Sequence, residues 1–276
     1  AAPWTVRASA DLAARIESVR CLGDRCVVVL PSPGDAIVVV DARDLSVRDT
    51  IPLEKGADPR DVALVDDRTI LVSQFNRASL ARVDPVTRTV TSLDLAALAD
   101  ADGLPEAHRL ANCGRKVYAQ LLRVAHDTGV PAAIPAVIAV VDLDRPDGEA
   151  LVDVDPDTPG VQGIVLAGRP DFDMPIDCAA GILSVAEPKP LMQGGGGYEQ
   201  VDLGTNVASD LPIDTGAQVG GFEIVDAGRH WLITHTEYGP GPSSHLNLFG
   251  GEVSDTYNTF ADEHVDDLAL DREPGL

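Results

Sequence analysis

Short runs of Val, Ile and Leu, closed by Asp, Asn or Gly, recur along the whole chain. In Asp61-Val-Ala-Leu-Val65, Thr69 to Gln74, Ser79 to Val83 and Thr89 to Leu95, apolar side chains lie between turn residues such as Asp66-Asp67-Arg68 and Asp84. β-Branched side chains fit a pleated surface and Asp and Gly take the dihedrals of tight turns, so this pattern predicts half-buried antiparallel strands. One layout is read repeatedly: strand, tight turn, strand, loop, a third strand ending in Asp, and a short fourth strand. It covers residues 16–53, 56–95, 106–154, 171–213 and 221–260, and a partial sixth unit starts at 264–276.

Repeats of roughly 40–50 residues built from four strands are the signature of a propeller. Aligned on the first turn, Val62, His108, Asp173, Phe222 and Asp267 fall on one rung, and the third strand ends in Val-Asp at Asp41, Asp84, Asp142 and Asp202. A four-stranded sheet cannot bury both faces alone, whereas radially stacked sheets bury one another. The expected fold is therefore all-β, a single β-propeller domain of four-stranded antiparallel blades. A β-sandwich of the same strands does not predict the repeat. Because residues 264–276 supply only the first strand of a sixth unit, the expected ring is truncated or open. Leu93 to Ala99 has helical spacing, and Val124 to Ile134 and Glu187 to Tyr198 read as long inserted loops, where a rigid scaffold carries its contacts.

Unit two carries a family resemblance. Gly56-Ala-Asp-Pro-Arg-Asp-Val-Ala-Leu64, then Thr69 to Asn76, then Ser79-Leu-Ala-Arg-Val-Asp-Pro-Val-Thr-Arg-Thr-Val90, resembles the repeat of the YVTN or YncE-like β-propellers. Units one, three and four match in part, through Asp41-Ala-Arg-Asp-Leu-Ser-Val and Asp142-Leu-Asp-Arg-Pro-Asp-Gly, and unit five matches poorly. The resemblance implies a bacterial exported scaffold or binding module, periplasmic or extracellular, with anchoring to the surface through a lipid among the expectations. It implies no particular ligand, since a fold does not confer an activity.

Composition adds to this picture. Acidic residues number 44 against 21 basic ones, for a net charge of -23. A surface this negative repels phosphate, which argues against nucleic acid as a partner. No apolar run approaches the roughly 18 residues of a transmembrane helix. Of the acids 33 are Asp, and Lys occurs only at Lys55, Lys116 and Lys189. Asp favours turns and strand ends while Glu and Lys favour helix surfaces, so helices are expected to be scarce. The four cysteines contain no CxxC pair, and their even count fits two disulfides, with free buried thiols as the other reading. Cys21 and Cys26 flank the first hairpin turn, and Cys113 and Cys178 occupy one rung of adjacent units, so the register pairs Cys21 with Cys26 and Cys113 with Cys178. Ala1 follows neither a Met nor an apolar signal region, as in a trimmed exported protein or a cut fragment.

Candidate chemistry follows from the same rung. First strands line a propeller's channel, so His108, Asp173 and Asp267 are expected to converge there, with Asp61, Arg109, Asp171 and Glu223 within a residue of them. These groups suit a polar ligand or a divalent cation such as Ca or Zn, and equally suit a water-filled channel. A second grouping, His235, Glu237 and His245, offers zinc or copper ligands, since His235 and Glu237 are two apart on a strand. Asp153-Val-Asp-Pro-Asp-Thr-Pro-Gly160 lacks the Gly and closing Glu of an EF-hand loop and reads as a solvated turn. The run Gly194 to Gly197 lacks the Lys and helix of a phosphate loop, and no nucleophile elbow is present. Two functions remain open: a non-enzymatic scaffold binding a ligand or partner at the channel mouth and inserted loops, or a lactonase-like metal-dependent hydrolase using a channel cation.

Overall fold

A computed structural model of the chain describes Leu12 and residues 14–125, 130–131, 135–168, 170, 174–187, 197–211, 218–226, 229–236, 243–249 and 253–261. These residues are almost all strand and turn, and they form two compact units, Ala1–Ile134 with Ile138–Gly163 and Pro135–Val137 with Ile164–Leu276.

In the first unit, β1 (Ser18–Leu22), β2 (Arg25–Leu30), β3 (Ala36–Asp41) and β4 (Val47–Pro52) form a four-stranded sheet in sequence order. A second such sheet follows from β5 (Pro59–Asp66), β6 (Thr69–Gln74), β7 (Ser79–Asp84) and β8 (Thr89–Asp94). The segment with helical spacing contributes only a 3-10 turn, Ala96–Leu98. The third sheet runs β9 (Ala107–Cys113), β10 (Lys116–Leu121), then β13 (Val137–Asp142) and β14 (Leu151–Val152). Between its second and third strands the inserted loop forms a minimal hairpin of β11 (Val124–Ala125) and β12 (Val130–Pro131). In the second unit a short β15 (Ile164–Val165) precedes the sheet of β16 (Ile176–Asp177), β17 (Ile182–Glu187), β18 (Gly197–Asp202) and β19 (Val207–Leu211). The last sheet is β20 (Gln218–Asp226), β21 (Arg229–Thr236), β22 (Ser243–Phe249) and β23 (Val253–Ala261). Each complete repeat unit read from the sequence thus contains one antiparallel sheet. The partial unit at 264–276 lies outside the described residues.

Packing in the first unit explains the apolar runs. Val27 and Val29 of β2, Ile37 and Val39 of β3, and Ile51 and Leu53 meet Val62 and Leu64 of β5, Ile70 and Val72 of β6, and Ala81 and Val83 of β7 in one buried cluster. The first sheet therefore lies face to face with the second, each supplying alternate residues. The other face of the first sheet, Cys26, Val28, Leu30, Val38 and Val40, is buried as well, with Leu12 and Ala42 against it. Strands β2 and β3 are covered on both faces and read as continuous Val and Ile. The fourth strands β4 and β8 are largely exposed and correspondingly polar.

The Val-Asp column has a local cause. Asp41 Oδ1 accepts the Arg43 N–H at 2.8 Å, Asp84 Oδ1 those of Val86 and Thr87 at 2.8 and 3.2 Å, Asp142 Oδ1 that of Asp144 at 3.0 Å, and Asp202 Oδ1 those of Gly204 and Thr205 at 3.0 and 2.7 Å. A carboxylate one methylene from the backbone reaches the N–H two residues on, and a Glu would overshoot it. In three of these turns the fourth residue after the Asp is left-handed: Leu45 at φ 58°, Arg88 at φ 59° and Asn206 at φ 57°. This turn at the end of the third strand accounts for four of the 33 Asp.

These turn carboxylates, together with Asp49 on β4, also set an acid limit. The Arg68 guanidinium, followed by the Val86 and Thr87 N–H groups, lowers Asp84 to about 2. Arg48 lowers Asp41, Arg88 lowers Asp49, and the Thr205 N–H and hydroxyl lower Asp202. A carboxylate held below its unfolded value of about 3.9 contributes stability that is present above that pH and lost as pH falls through the folded value. The melting temperature is expected to stay level from neutral pH to about 4 and to fall between about 4 and 2. Asp84→Asn, which cannot titrate, should make that fall shallower in a calorimetric pH series.

The hairpin disulfide forms as the register requires. Cys21 and Cys26 are direct cross-strand partners with Cα atoms 4.0 Å apart, and their sulfurs are bonded. A bond closing so short a loop contributes about 2 kcal/mol by chain entropy. Cys113 and Cys178 are disulfide-bonded too, so no thiol is free.

Candidate functional site

In the first unit the innermost strands lie side by side, β5 against both β1 and β9. Asp61 sits on β5 with none of its surface exposed. Its carboxylate is bracketed by a two-pronged guanidinium: Arg20 of β1 donates from Nε to Oδ1 at 3.1 Å and from Nη2 to Oδ2 at 2.9 Å. The Leu110 N–H of β9 donates to Oδ2 at 3.1 Å, and the Val62 N–H donates to Oδ1 at 2.9 Å. Ser73 of β6, also fully buried, accepts the Asp61 N–H at 2.8 Å and donates to the His108 carbonyl at 2.5 Å. A fully desolvated carboxylate is tolerable only with its lone pairs filled, and here they are filled by groups from three sheets. Asp61 is a clasp across the inner strands.

Other buried acids do the same on a smaller scale. Asp35 accepts the Gly56 and Asp58 N–H groups at 2.8 and 2.9 Å, which fixes the connection from the first sheet to the second. Glu106 Oε2 accepts the Val124 N–H at 3.1 Å, at the root of the inserted hairpin. In the second unit Glu199 Oε2 accepts the Ala167 N–H at 2.9 Å. Asp58 and Glu106 occupy equivalent places: both are left-handed, at φ 50° and 46°, and both carbonyls accept from the residue following the second strand, Phe75 and Leu122.

The predicted rung needs correction at His108. The ladders pair Val19 with Val28, Val62 with Val72, Leu110 with Ala119 and Phe222 with Leu232, each three residues past the first residue of the second strand. Leu110, not His108, therefore shares the rung of Val62 and Phe222. A register shift between Leu64 and Asp66 puts one extra residue into β5 where β9 pairs regularly, so counting back from the turn by the β5 spacing overshoots Leu110 by one residue. His108 is buried near the start of β9, and Arg109 beside it is half-buried. Glu223 pairs through its backbone with Trp231. Asp171, Asp173 and Asp267 lie outside the described residues.

Of the second grouping, Glu237 lies outside the described residues. His235 pairs with Gln218 and Ser244, and His245 pairs with Thr234 and Thr259, so the two histidines are not cross-strand partners. Among the described residues no three His, Cys, Asp or Glu side chains are grouped as a metal site. No helix there is long and apolar enough to cross a membrane. Asp61 lies on a first strand, where the sequence repeat puts it, and the sequence reading names none of its partners. Arg20 follows Val19 on a first strand, and Ser73 interrupts the apolar run of β6; a basic residue and a hydroxyl at inner-strand positions were the available signal.

Solved structures align over most of the chain. Kuenenia stuttgartiensis hydrazine synthase matches at 13% identity and TM-score 0.57, over 82% of this chain and 59% of that one. Streptogramin B lyase matches at 11% identity and TM-score 0.57, over 87% of this chain and 70% of that one. The extracellular domain of a one component system from B. thetaiotaomicron matches at 12% identity and TM-score 0.54, over 88% of this chain and 27% of that one. The fold is a β-propeller. At these identities the likeness shows the fold alone, and the chain spans less than two thirds of the hydrazine synthase and of the one component system domain. No family model matches the chain, and no curated protein matches it.

Proposed function

We propose that the chain is an exported propeller of the YVTN or YncE-like kind that binds a ligand or partner protein and performs no chemistry itself. The observation that carries this reading is the saturation of Asp61: the carboxylate best placed at the inner strands accepts four hydrogen bonds from within the first unit. Its charge holds strands together, and its lone pairs are occupied before any ligand arrives. The repeat in residues 56–90 supports the family, and disulfides support an oxidising, extracytoplasmic compartment. Binding falls to the channel mouth and to the inserted loops at 124–134 and 187–198, where a rigid β scaffold presents variable segments.

Elemental analysis of protein purified without chelators tests this reading against the lactonase-like hydrolase. The expected result is calcium and zinc well below one atom per chain. One equivalent of metal in the wild type, lost in Asp173→Ala, would overturn it in favour of a channel cation that polarises a carbonyl or activates water.

A further inference from the structure

The second sheet ends on β8, and among the described residues no strand pairs with its outer side. Its register against β7 is unbroken, from Asp84 opposite Thr89 to Ser79 opposite Asp94. The Leu95 N–H donates to the Ala78 carbonyl at 2.8 Å, which fixes the phase of that ladder. Thr89, Thr91 and Leu93 therefore bond inward to β7, while Val90, Ser92 and Asp94 turn their N–H and C=O groups outward. Exposed edges are commonly blunted by charges, proline, bulges or brevity. The other outer strands carry such devices. β4 has Arg48, Asp49, a register shift against β3 and a closing Pro52, and β14 has two residues. β19 carries Asp210, and β23 carries Asp255 and register shifts against β22. Thr89 to Leu93 has none of these, and Thr89 to Ser92 are all exposed.

This edge is complementary to itself. Arg88 stands just before β8 and Asp94 closes it, so an antiparallel copy centred on Thr91 brings Arg88 of each chain opposite Asp94 of the other. The same centring sets Val90 opposite the partner's Ser92, both with outward N–H and C=O groups, and sets Thr91 opposite its own counterpart. Side-chain faces agree as well: Val90 and Ser92 share the face of Val83 and Ala81, while Thr89 and Leu93 share that of Asp84 and Leu80. Centring on Val90 or Ser92 keeps the bonding phase but sets Arg88 opposite Ser92 or Ala96, and the ion pairs are lost. A guanidinium has five N–H groups, so Arg88, with 62% of its side chain exposed, holds Asp49 of its own chain from Nε and Nη2 and still meets a second carboxylate. Asp94 is exposed; its Oδ1 accepts the Ala96 N–H at 2.8 Å, and Oδ2 is available to a guanidinium. The charge of -23 on each chain is screened beyond about 8 Å at physiological salt, and the edge itself carries one cation and one anion. We propose that β8 pairs antiparallel with β8 of a second copy about a two-fold axis at Thr91, joining two blades into one continuous sheet.

Sedimentation equilibrium of the whole chain at about 0.15 M salt tests this. The expected result is a reversible monomer–dimer equilibrium with a Kd of about 0.1 mM, the weak range suited to so small an interface. Ser92→Pro removes an outward N–H from both copies and spares the ladder to β7, because proline is tolerated on an edge strand whose N–H faces solvent. Dimerisation should weaken at least about tenfold at a nearly unchanged melting temperature. Thr91→Cys gives a check that does not depend on the strand accepting a proline. Opposed across a non-hydrogen-bonded pair, the two Cα atoms would lie about 4.5 Å apart, within reach of a disulfide. The native cysteines are all bonded, so the added thiol is the one that reacts. With oxidised glutathione as the electron acceptor it should cross-link the chain to a dimer much faster than Thr50→Cys, another exposed site on β4. A chain that stays monomeric to about 1 mM, a Ser92→Pro variant that dimerises like wild type, or equal cross-linking from positions 91 and 50 would each overturn the proposal. None of these outcomes bears on the scaffold reading, since β8 lies apart from the inner-strand clasp.

Discussion

Asp61→Ala is expected to lower the unfolding free energy by about 3 kcal/mol, within the range for breaking a buried pair. The substitution removes the acceptor of the buried Leu110 and Val62 N–H groups, and it takes from Arg20 the two-pronged pairing with the Asp61 carboxylate. Arg20 retains 32% side-chain exposure and can turn toward solvent, which keeps the loss toward the lower end. The loss would appear in urea denaturation as a lower midpoint with an unchanged slope. Asp67→Ala is the matched control: Asp67 is exposed, Arg25 donates to its backbone carbonyl rather than its carboxylate, and a change within about 0.5 kcal/mol is expected. If the two substitutions cost the same, Asp61 is not a clasp.

The second large effect is expected at the interface between the first two sheets. Ile70 is fully buried in the cluster that joins them. Ile70→Ala should cost about 2–5 kcal/mol, through lost transfer energy and the cavity left between two sheets that cannot collapse independently, and Ile70→Val about 0.5–1.5 kcal/mol. Val90 of β8 is 39% exposed at the outer edge, and its replacement by Ala should cost much less. Denaturation midpoints ordered Ile70→Ala, Ile70→Val, Val90→Ala would establish that stability lies in the faces between sheets. A reversed order would place it at the edges.

The contrast between these sites shows how far sequence reading reaches. Strand content and turns were legible because they are local: Asp84 binds N–H groups two and three residues on, and Val27 and Val29 alternate along a single strand. The Cys21–Cys26 bond was legible for the same reason, since a two-residue turn sets its register. The inner-strand site was legible only in part. Asp61 stood out as a carboxylate on a first strand, but its partner Arg20 lies 41 residues away in another sheet, and Leu110 contributes a backbone N–H that no residue type announces. His108 falls two positions from the rung, and the one extra residue in β5 that accounts for the first of them has no signature in its residues.

Whether the inner-strand carboxylate serves the scaffold or a ligand is decided most directly by a double-mutant cycle on Arg20→Ala and Asp61→Ala. A clasp requires the double variant to be less damaged than the sum of the single ones, with a coupling of about 1.5–3 kcal/mol. Additive losses, with no coupling between the two side chains, would contradict the structural role and return Asp61 to the set of groups available for a ligand.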